Sequence, residues 1–336
     1  MNLLTERTRT IGFLSWKLGV RPEVLASVLA RDQYSEASGP IARYPDSLRV
    51  FYRRFSIPKS GNKRRIILSP QGGLRIIQNA IYQRLLKDQK CSEIAHGFVP
   101  GRSVITALLP HAGAKLISLA DMQDAFASVP RKIVRRLMAE LGFKGRVLDW
   151  MVMFVWEKGL GLPQGAPTSG MLFNLACRAF DKGMIREAAL YGYTVTRYAD
   201  NIIISATKGD PISFKWNAHN CITKGLWEDE YSWSLSEFWI QFGIDGWDRE
   251  KIYVISNGRP ARTLGAILDI EGGAPRLSGK TLRRMRLRAY NAVLAGDWQV
   301  LNGIKGFLLP WFGEIPPQVA DAITKAQARL ESLQAP

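Results

Sequence analysis

The chain has 336 residues, 46% of them hydrophobic, with 46 Lys and Arg against 29 Asp and Glu for a formal charge of +17. That apolar content excludes disorder as a description of the whole chain. The longest uncharged run, Gly159 to Cys177, is interrupted by Pro163, Gln164, Pro167 and Asn174, so no membrane span is expected. Cys91, Cys177 and Cys221 are too few and too scattered for a disulfide framework or a zinc ligand set. The first residues, Met1 to Arg7, lack the apolar core of a secretory signal, so a cytoplasmic location is expected. The basic surplus points to a polyanionic partner, above all nucleic acid.

Helix is expected over Ile11 to Lys17 and again from Pro22 to Leu29, where proline suits a first helical position because its missing N–H would be unpaired there anyway. From Leu48 the pattern turns to β, with Phe55 to Lys59 and Arg65 to Leu68 reading as strands around Ser60-Gly-Asn62. Leu74 to Leu86 reads as an amphipathic helix with Ile76, Ile77, Ala80, Ile81 and Leu85 on one face. Leu116 to Ala120 is a short buried strand ending on Asp121. The helix after Pro130 turns Ile133, Val134 and Leu137 inward and Arg131, Lys132, Arg135 and Arg136 outward, and Val147 to Trp156 is an apolar helix. A Gly/Pro-rich loop, Gly159 to Pro167, leads into a helix from Thr168 to about Leu190.

Two β runs, Tyr193 to Tyr198 and Ile202 to Ser205, then flank a tight turn, Ala199-Asp-Asn201. After a Trp-rich segment the chain returns to β at Ile252 to Ile255 and Arg262 to Leu268, and it ends in helices from Lys280 onward. Strands and helices mix without regular βαβ alternation, which makes the fold class α+β with a separate helical C-terminal unit.

Asp121 at a strand end, Asp200 at a turn tip and the loop Gly161-Leu-Pro-Gln-Gly-Ala-Pro-Thr-Ser169 carry the chemistry. Two such aspartates brought together are what two-metal phosphoryl transfer requires, since Mg²⁺ takes hard oxygen ligands and a metal pair steadies both attacking and leaving oxygens. Either aspartate alone reads as readily as a solvated turn residue.

Read in order, the set resembles reverse transcriptases. Asp121-Met-Gln-Asp-Ala-Phe126 is similar to the first palm motif and Tyr198-Ala-Asp-Asn201 to the Tyr-x-Asp-Asp hairpin. The resemblance implies Asp121, Asp200 and Asn201 as the metal and catalytic set, with two Mg²⁺ ions for which Mn²⁺ can substitute. Leu162-Pro-Gln-Gly165 resembles the family's glutamine loop, implying that Gln164 touches the incoming nucleotide. Ile57-Pro-Lys59, Gly61 and Arg65 resemble the fingers hairpin that grips the triphosphate, which Lys251 approaches from a later motif. Leu264-Gly265 resembles the primer-positioning turn, and His96-Gly-Phe-Val-Pro-Gly-Arg-Ser103 a segment of retron-type and group II intron-type enzymes. Phe126 stands where the family abuts the sugar C2′, so a bulky ring there implies a preference for deoxynucleotides; as a lone residue it also reads as core.

The implied architecture is a right-hand polymerase: fingers with N-terminal helices over residues 1–115, palm mainly over 116–268 with 131–165 shared between fingers and palm, and thumb over 269–336. The implied partners are dNTPs, a structured non-coding RNA template and a DNA product or RNA/DNA duplex, with an effector protein or a homo-oligomer open and no membrane. An anti-phage role is implied in the same way. Lys280, Arg283, Arg284, Arg286 and Arg288 on a helix with Leu282, Met285, Ala289 and Val293 read as a phosphate-contacting face or as an ordinary solvated one, and Arg131 with Arg135 as a second stripe.

Two departures matter. Asn201 replaces the second hairpin aspartate, which removes a negative charge and leaves open a catalytically weakened RNA-binding scaffold; a template-independent polymerase is a further alternative. Thr106-Ala-Leu-Leu-Pro-His111 and Thr263-Leu-Gly265 depart from strict retron patterns. The tryptophans at 216, 227, 233, 239 and 247 are expected in packing or at a protein surface rather than stacked on bases, and His219 with Cys221 is not read as a metal site.

Overall fold

The computed structural model describes residues 3–36, 51–58, 64–122, 124–225, 253–255, 261–268 and 274–334. Helices α1 (Leu3–Leu18) and α2 (Pro22–Glu36) open the chain and bury Leu14, Leu18, Leu25, Val28 and Leu29. A ribbon of two antiparallel strands follows, β1 (Tyr52–Pro58) and β2 (Arg64–Pro70), with Ile57 opposite Arg65 and Phe55 opposite Ile67. Lys59 and Gly61 lie outside the described residues.

Helix α3 (Gly72–Ile81) ends in a π-helical turn, Tyr82–Leu86. Its buried face is Leu74, Ile77, Gln78 and Ile81; Ile76, expected on that face, is 50% exposed. Neighbours on an α-helix stand about 100° apart, so Ile76 and Ile77 cannot both face the core squarely. Gln78 occupies a core position because its Nε2 donates to the Tyr52 hydroxyl (2.9 Å) and to the Phe154 carbonyl (2.7 Å).

After α4 (Val104–Leu108), strand β3 (Leu116–Asp121) runs into the middle of an antiparallel sheet with β4 (Thr194–Tyr198), β5 (Asn201–Ala206) and β6 (Tyr253–Ile255), in the order β4-β5-β3-β6. Strand alternation divides the aliphatic residues: Leu116, Ala120, Ile202 and Ile204 join the large helical core, and Ile117, Leu119 and Ile203 a smaller one on the opposite face. The helical side is built from α5 (Arg131–Glu140), α6 (Gly145–Val155), α7 (Ser169–Ala176), α8 (Arg178–Tyr191) and α9 (Pro211–Gly225). Where the apolar spacing predicts one helix from Thr168 to Leu190, α7 and α8 meet at Cys177, whose ψ of 0° turns the axis. Neither Pro nor Gly marks that break, so the apolar pattern runs across it.

The β stretch expected from Arg262 to Leu268, with a turn at Leu264-Gly265, is a hairpin, β7 (Ala261–Thr263) and β8 (Ala266–Leu268), with β9 (Arg276–Leu277) beside β8. Its turn uses positive φ at Leu264 (52°) and Gly265 (79°), the handedness that matches the twist of short hairpins. The Gly265 carbonyl accepts from the Ser278 N–H (3.1 Å) and the Thr281 hydroxyl (2.7 Å). Thr281 lies in α10 (Gly279–Leu294), capped by Ser278, which packs with α11 (Trp298–Phe312) and α12 (Pro317–Gln334) around Met285, Ala289, Val293, Leu301, Ile304, Leu308 and Val319. A central antiparallel sheet with helices on one side and a separate helical C-terminal unit is the expected α+β arrangement.

Candidate active site

The sheet register brings the two aspartates together. Asp121 stands directly opposite Asn201, Tyr198 pairs with Asn201 from the other side, and the Met122 N–H donates to the Asp200 carbonyl at 3.0 Å. Cross-strand partners share a face, so the end of β3 and the β4–β5 turn present their oxygens at one edge of the sheet. The Asn201 amide Nδ2 donates to Asp200 Oδ1 at 3.1 Å, which leaves its own oxygen available to a cation. Burial raises the Asp200 pKa, and the neighbouring Asp121 charge adds to that; Arg65 of the ribbon acts in the opposite sense. A carboxylate whose proton affinity is raised in this way is relieved by a divalent cation, and two carboxylates with an amide oxygen are hard ligands that fit Mg²⁺ or Mn²⁺. Among the described residues no group of three His, Cys, Asp or Glu gathers as a metal site.

The glutamine loop is stitched to both neighbours. The Leu162 N–H donates to the Phe126 carbonyl (2.9 Å), and the Leu68 N–H of β2 donates to the Gln164 carbonyl (2.7 Å). Glycine is required at two points: a Cβ on Gly161 would sit 2.4 Å from the Ala127 carbonyl oxygen, and one on Gly165 2.8 Å from the Ile67 side chain, both at positive φ. Ser169 Oγ closes the loop on the Pro163 carbonyl at 2.8 Å. Phe126 is half-buried; its ring stacks on Phe173 (5.0 Å, 28°) and meets Phe98 edge-on (5.8 Å). Arg65, Phe126, Gln164, Asp121 and Asp200 are thereby linked through the ribbon, loop and sheet.

Three residues that sequence reasoning did not single out support the hairpin from behind. Arg197 and Asp181 are both 0% exposed and form a two-bond ion pair, Nε to Oδ1 and Nη2 to Oδ2, each at 2.7 Å. Arg197 Nη1 also donates to the Ala199 carbonyl (2.9 Å) and to Asn174 Oδ1 (3.1 Å), and Asn174 Nδ2 donates to the Gly97 carbonyl (2.7 Å). Burial opposes the charge on each partner, and the paired bonds hold the guanidinium charged against the carboxylate. The available signal was parity: Val195 and Arg197 lie two apart on β4, so an inward Val195 places Arg197 inward too.

The segment His96 to Ser103 has a structural role. Arg102 Nη1 donates to the carbonyls of Ser92, Glu93 and Ala95, Ser103 caps α4, and the His96 N–H donates to the Arg197 carbonyl at 2.7 Å. Beneath the sheet His111 is fully enclosed, with Nδ1 2.6 Å from Ser205 Oγ and Nε2 2.8 Å from Thr196 Oγ1. Thr196 gives its hydroxyl proton to the Ala107 carbonyl, so Nε2–H donates to Thr196 and Ser205 donates to Nδ1. Burial pushes the His111 pKa down to about 3, and the nearby His96 adds to the effect.

The remaining predicted residues divide. Lys280, Arg283, Arg284, Arg286 and Arg288 are exposed on α10 while Met285, Ala289 and Val293 are buried, as the helical spacing requires. Arg131 and Lys132 are exposed, but Arg135 is engaged by Asp149 of α6 and Arg136 by Glu140 at 3.4 Å, so the second stripe is partly neutralised. Trp216, expected in packing or at a surface, is 66% exposed, and Cys177 is buried. Lys251 and the tryptophans from 227 to 247 lie outside the described residues.

Comparison with known proteins supports the same reading. The chain is 29% identical over 291 residues to the retron Mx65 reverse transcriptase of Myxococcus xanthus, covering 82% of this chain and 64% of that protein. It is 32% identical over 179 residues to the retron Mx162 reverse transcriptase of the same organism, covering 47% of this chain and 36% of that one. The retron Ec86 reverse transcriptase of Escherichia coli matches at 31% over 157 residues, 46% of this chain and 49% of that one. The chain thus spans less than two thirds of the length of these relatives. The model of the family described as reverse transcriptase (RNA-dependent DNA polymerase) matches residues 57–224, half of the chain. That span runs from the end of β1 through both aspartates, Phe126 and the Gln164 loop, and the chain belongs to the reverse transcriptase family.

Proposed function

We propose that the protein is an RNA-directed DNA polymerase of the retron type that copies a structured non-coding RNA into DNA, as part of a bacterial anti-phage system. The observation that carries the reading is the juxtaposition of Asp121 and Asp200 at one sheet edge, beside the Phe126 ring and a glutamine loop bonded to the ribbon bearing Arg65. Two Mg²⁺ ions bound there would draw the primer hydroxyl toward its nucleophilic form and steady the leaving pyrophosphate. Asp121 and Asp200 would hold them, and Asn201 orients the Asp200 carboxylate through Nδ2 and would offer its own oxygen. Arg65, with Lys59 and Lys251, neutralises the triphosphate, Gln164 positions the nucleotide, and Phe126 leaves no space for a 2′-hydroxyl. Residues 1–115 serve as fingers, 116–268 mainly as palm with 131–165 shared, and 269–336 as thumb, where the basic face of α10 follows the template–primer backbone.

The test is dNTP incorporation on a primed RNA template with Mg²⁺ or Mn²⁺. Incorporation by the wild type that is lost in Asp200→Ala supports the reading. RNA retention without incorporation by the wild type supports instead a ribonucleoprotein scaffold, which the missing charge at Asn201 favours. Synthesis that continues unaltered after digestion of all RNA marks a template-independent polymerase.

A further inference from the structure

We propose that Arg197 is a positioning residue that couples the metal-bearing turn to the aromatic wall of the sugar site. The inference rests on the polymerase reading above and adds to it a buried residue that touches neither metal nor nucleotide. Ala199, the first residue of the turn, has a φ of 56°, a region that L-residues with a Cβ enter at a cost that their surroundings must offset. Two contacts hold it, and a third fixes one of them. Arg197 Nη1 donates to the Ala199 carbonyl at 2.9 Å. Gly97 lies so close that a Cβ there would stand 2.5 Å from the Ala199 nitrogen. Gly97 is fixed in turn by Asn174, the second acceptor of Arg197 Nη1.

The same guanidinium also lies against the aromatic stack. Its carbon lies 5.4 Å from the Phe173 ring centre, within range of a cation–π contact, and Phe173 stacks on Phe126. Asp181 fixes the fork by two parallel bonds, so the guanidinium cannot shift to favour one client over the other. A lysine has no planar fork and cannot make the Asp181, Asn174 and Ala199 contacts in this geometry. The orientation of Asp200 and the depth of Phe126 are therefore set by one group.

The joint prediction is read from binding as well as synthesis. Mn²⁺ affinity is measured by electron paramagnetic resonance on the full chain, and dATP against ATP binding by equilibrium filtration with Mn²⁺ present. The double variant R197M/D181L removes both buried charges together, which spares the fold the cost of a lone charge. It is expected to bind Mn²⁺ about tenfold more weakly, the lower end of effects seen when groups behind metal ligands are replaced. Its dATP preference over ATP falls in parallel, with the circular dichroism spectrum retained. N174L keeps the ion pair and is expected to show the same joint loss in smaller measure, which preserves the test if the double variant does not fold. F173L is expected to lose sugar preference while keeping Mn²⁺ affinity.

A folded R197M/D181L or N174L protein with both quantities unchanged overturns the coupling, as does loss of one without the other. Failure of the polymerase reading itself looks different: the wild type would then bind Mn²⁺ no better than D121A.

Discussion

Arginine does opposite work in the two halves of the molecule. On β4, Arg197 is wholly enclosed and directs its donors to Asp181, Asn174 and Ala199. On α10, Arg283, Arg284, Arg286 and Arg288 stand in water over a helix whose inner face is Met285, Ala289 and Val293. A desolvated charge with a fixed partner acts through geometry and barely responds to salt, whereas exposed charges act on a distant polyanion and are screened by it. The difference separates what shapes the site from what is proposed to hold nucleic acid, and substitutions in the two places should fail in different ways.

The sharpest break is at the carboxylates themselves. Asp121→Ala or Asp200→Ala should take incorporation to assay background with little change in urea midpoint, since neither side chain supports the core. Next in size, Arg197→Ala should destabilise the fold by about 3–5 kcal/mol, because it strands the Asp181 carboxylate in the interior; equilibrium urea unfolding measures it. Replacing Arg283, Arg284, Arg286 and Arg288 together with Gln should leave stability within about 0.5 kcal/mol, as for most surface changes. The same variant should flatten the dependence of log affinity on log salt for an RNA/DNA duplex by up to about 3.6, at roughly 0.9 per lost phosphate contact. A salt slope equal to the wild type would remove α10 from the nucleic-acid path.

A pH-dependent effect belongs to His111. Its folded pKa, about 3, is below its unfolded value of 6.5, so burial of the neutral ring favours folding fully above pH 6.5. That contribution is lost as pH falls from 6.5 toward 3, by at most about 1.4 kcal/mol per pH unit. His96, lowered to about 4 by burial and then by Arg102, acts in the same direction. Unfolding midpoints of His111→Gln between pH 7 and pH 4 should therefore slope less steeply than those of the wild type.

What could be read in advance was local. The Asp121 strand end, the Asp200 turn, the loop around Gln164 and the apolar stripe of α10 are each carried by neighbours within one or two turns of chain. The network behind the hairpin is not. Arg197 meets Asp181 across 16 positions and Asn174 across 23, and Asn174 meets Gly97 across 77. No periodicity encodes pairings of that span; they exist only after the sheet and α8 have formed. The break at Cys177 was hidden for a related reason, since both helices keep apolar faces toward one core. Ile76 was misassigned because Gln78, polar by type, had found two partners inside.

The carbonyl of Gly265 accepts two hydrogen bonds from the start of α10, at Ser278 and Thr281. That one oxygen works as a mechanical joint. The basic helix cannot swing away from the β7–β8 turn without breaking both bonds, so a load placed on the C-terminal helices is delivered to the turn.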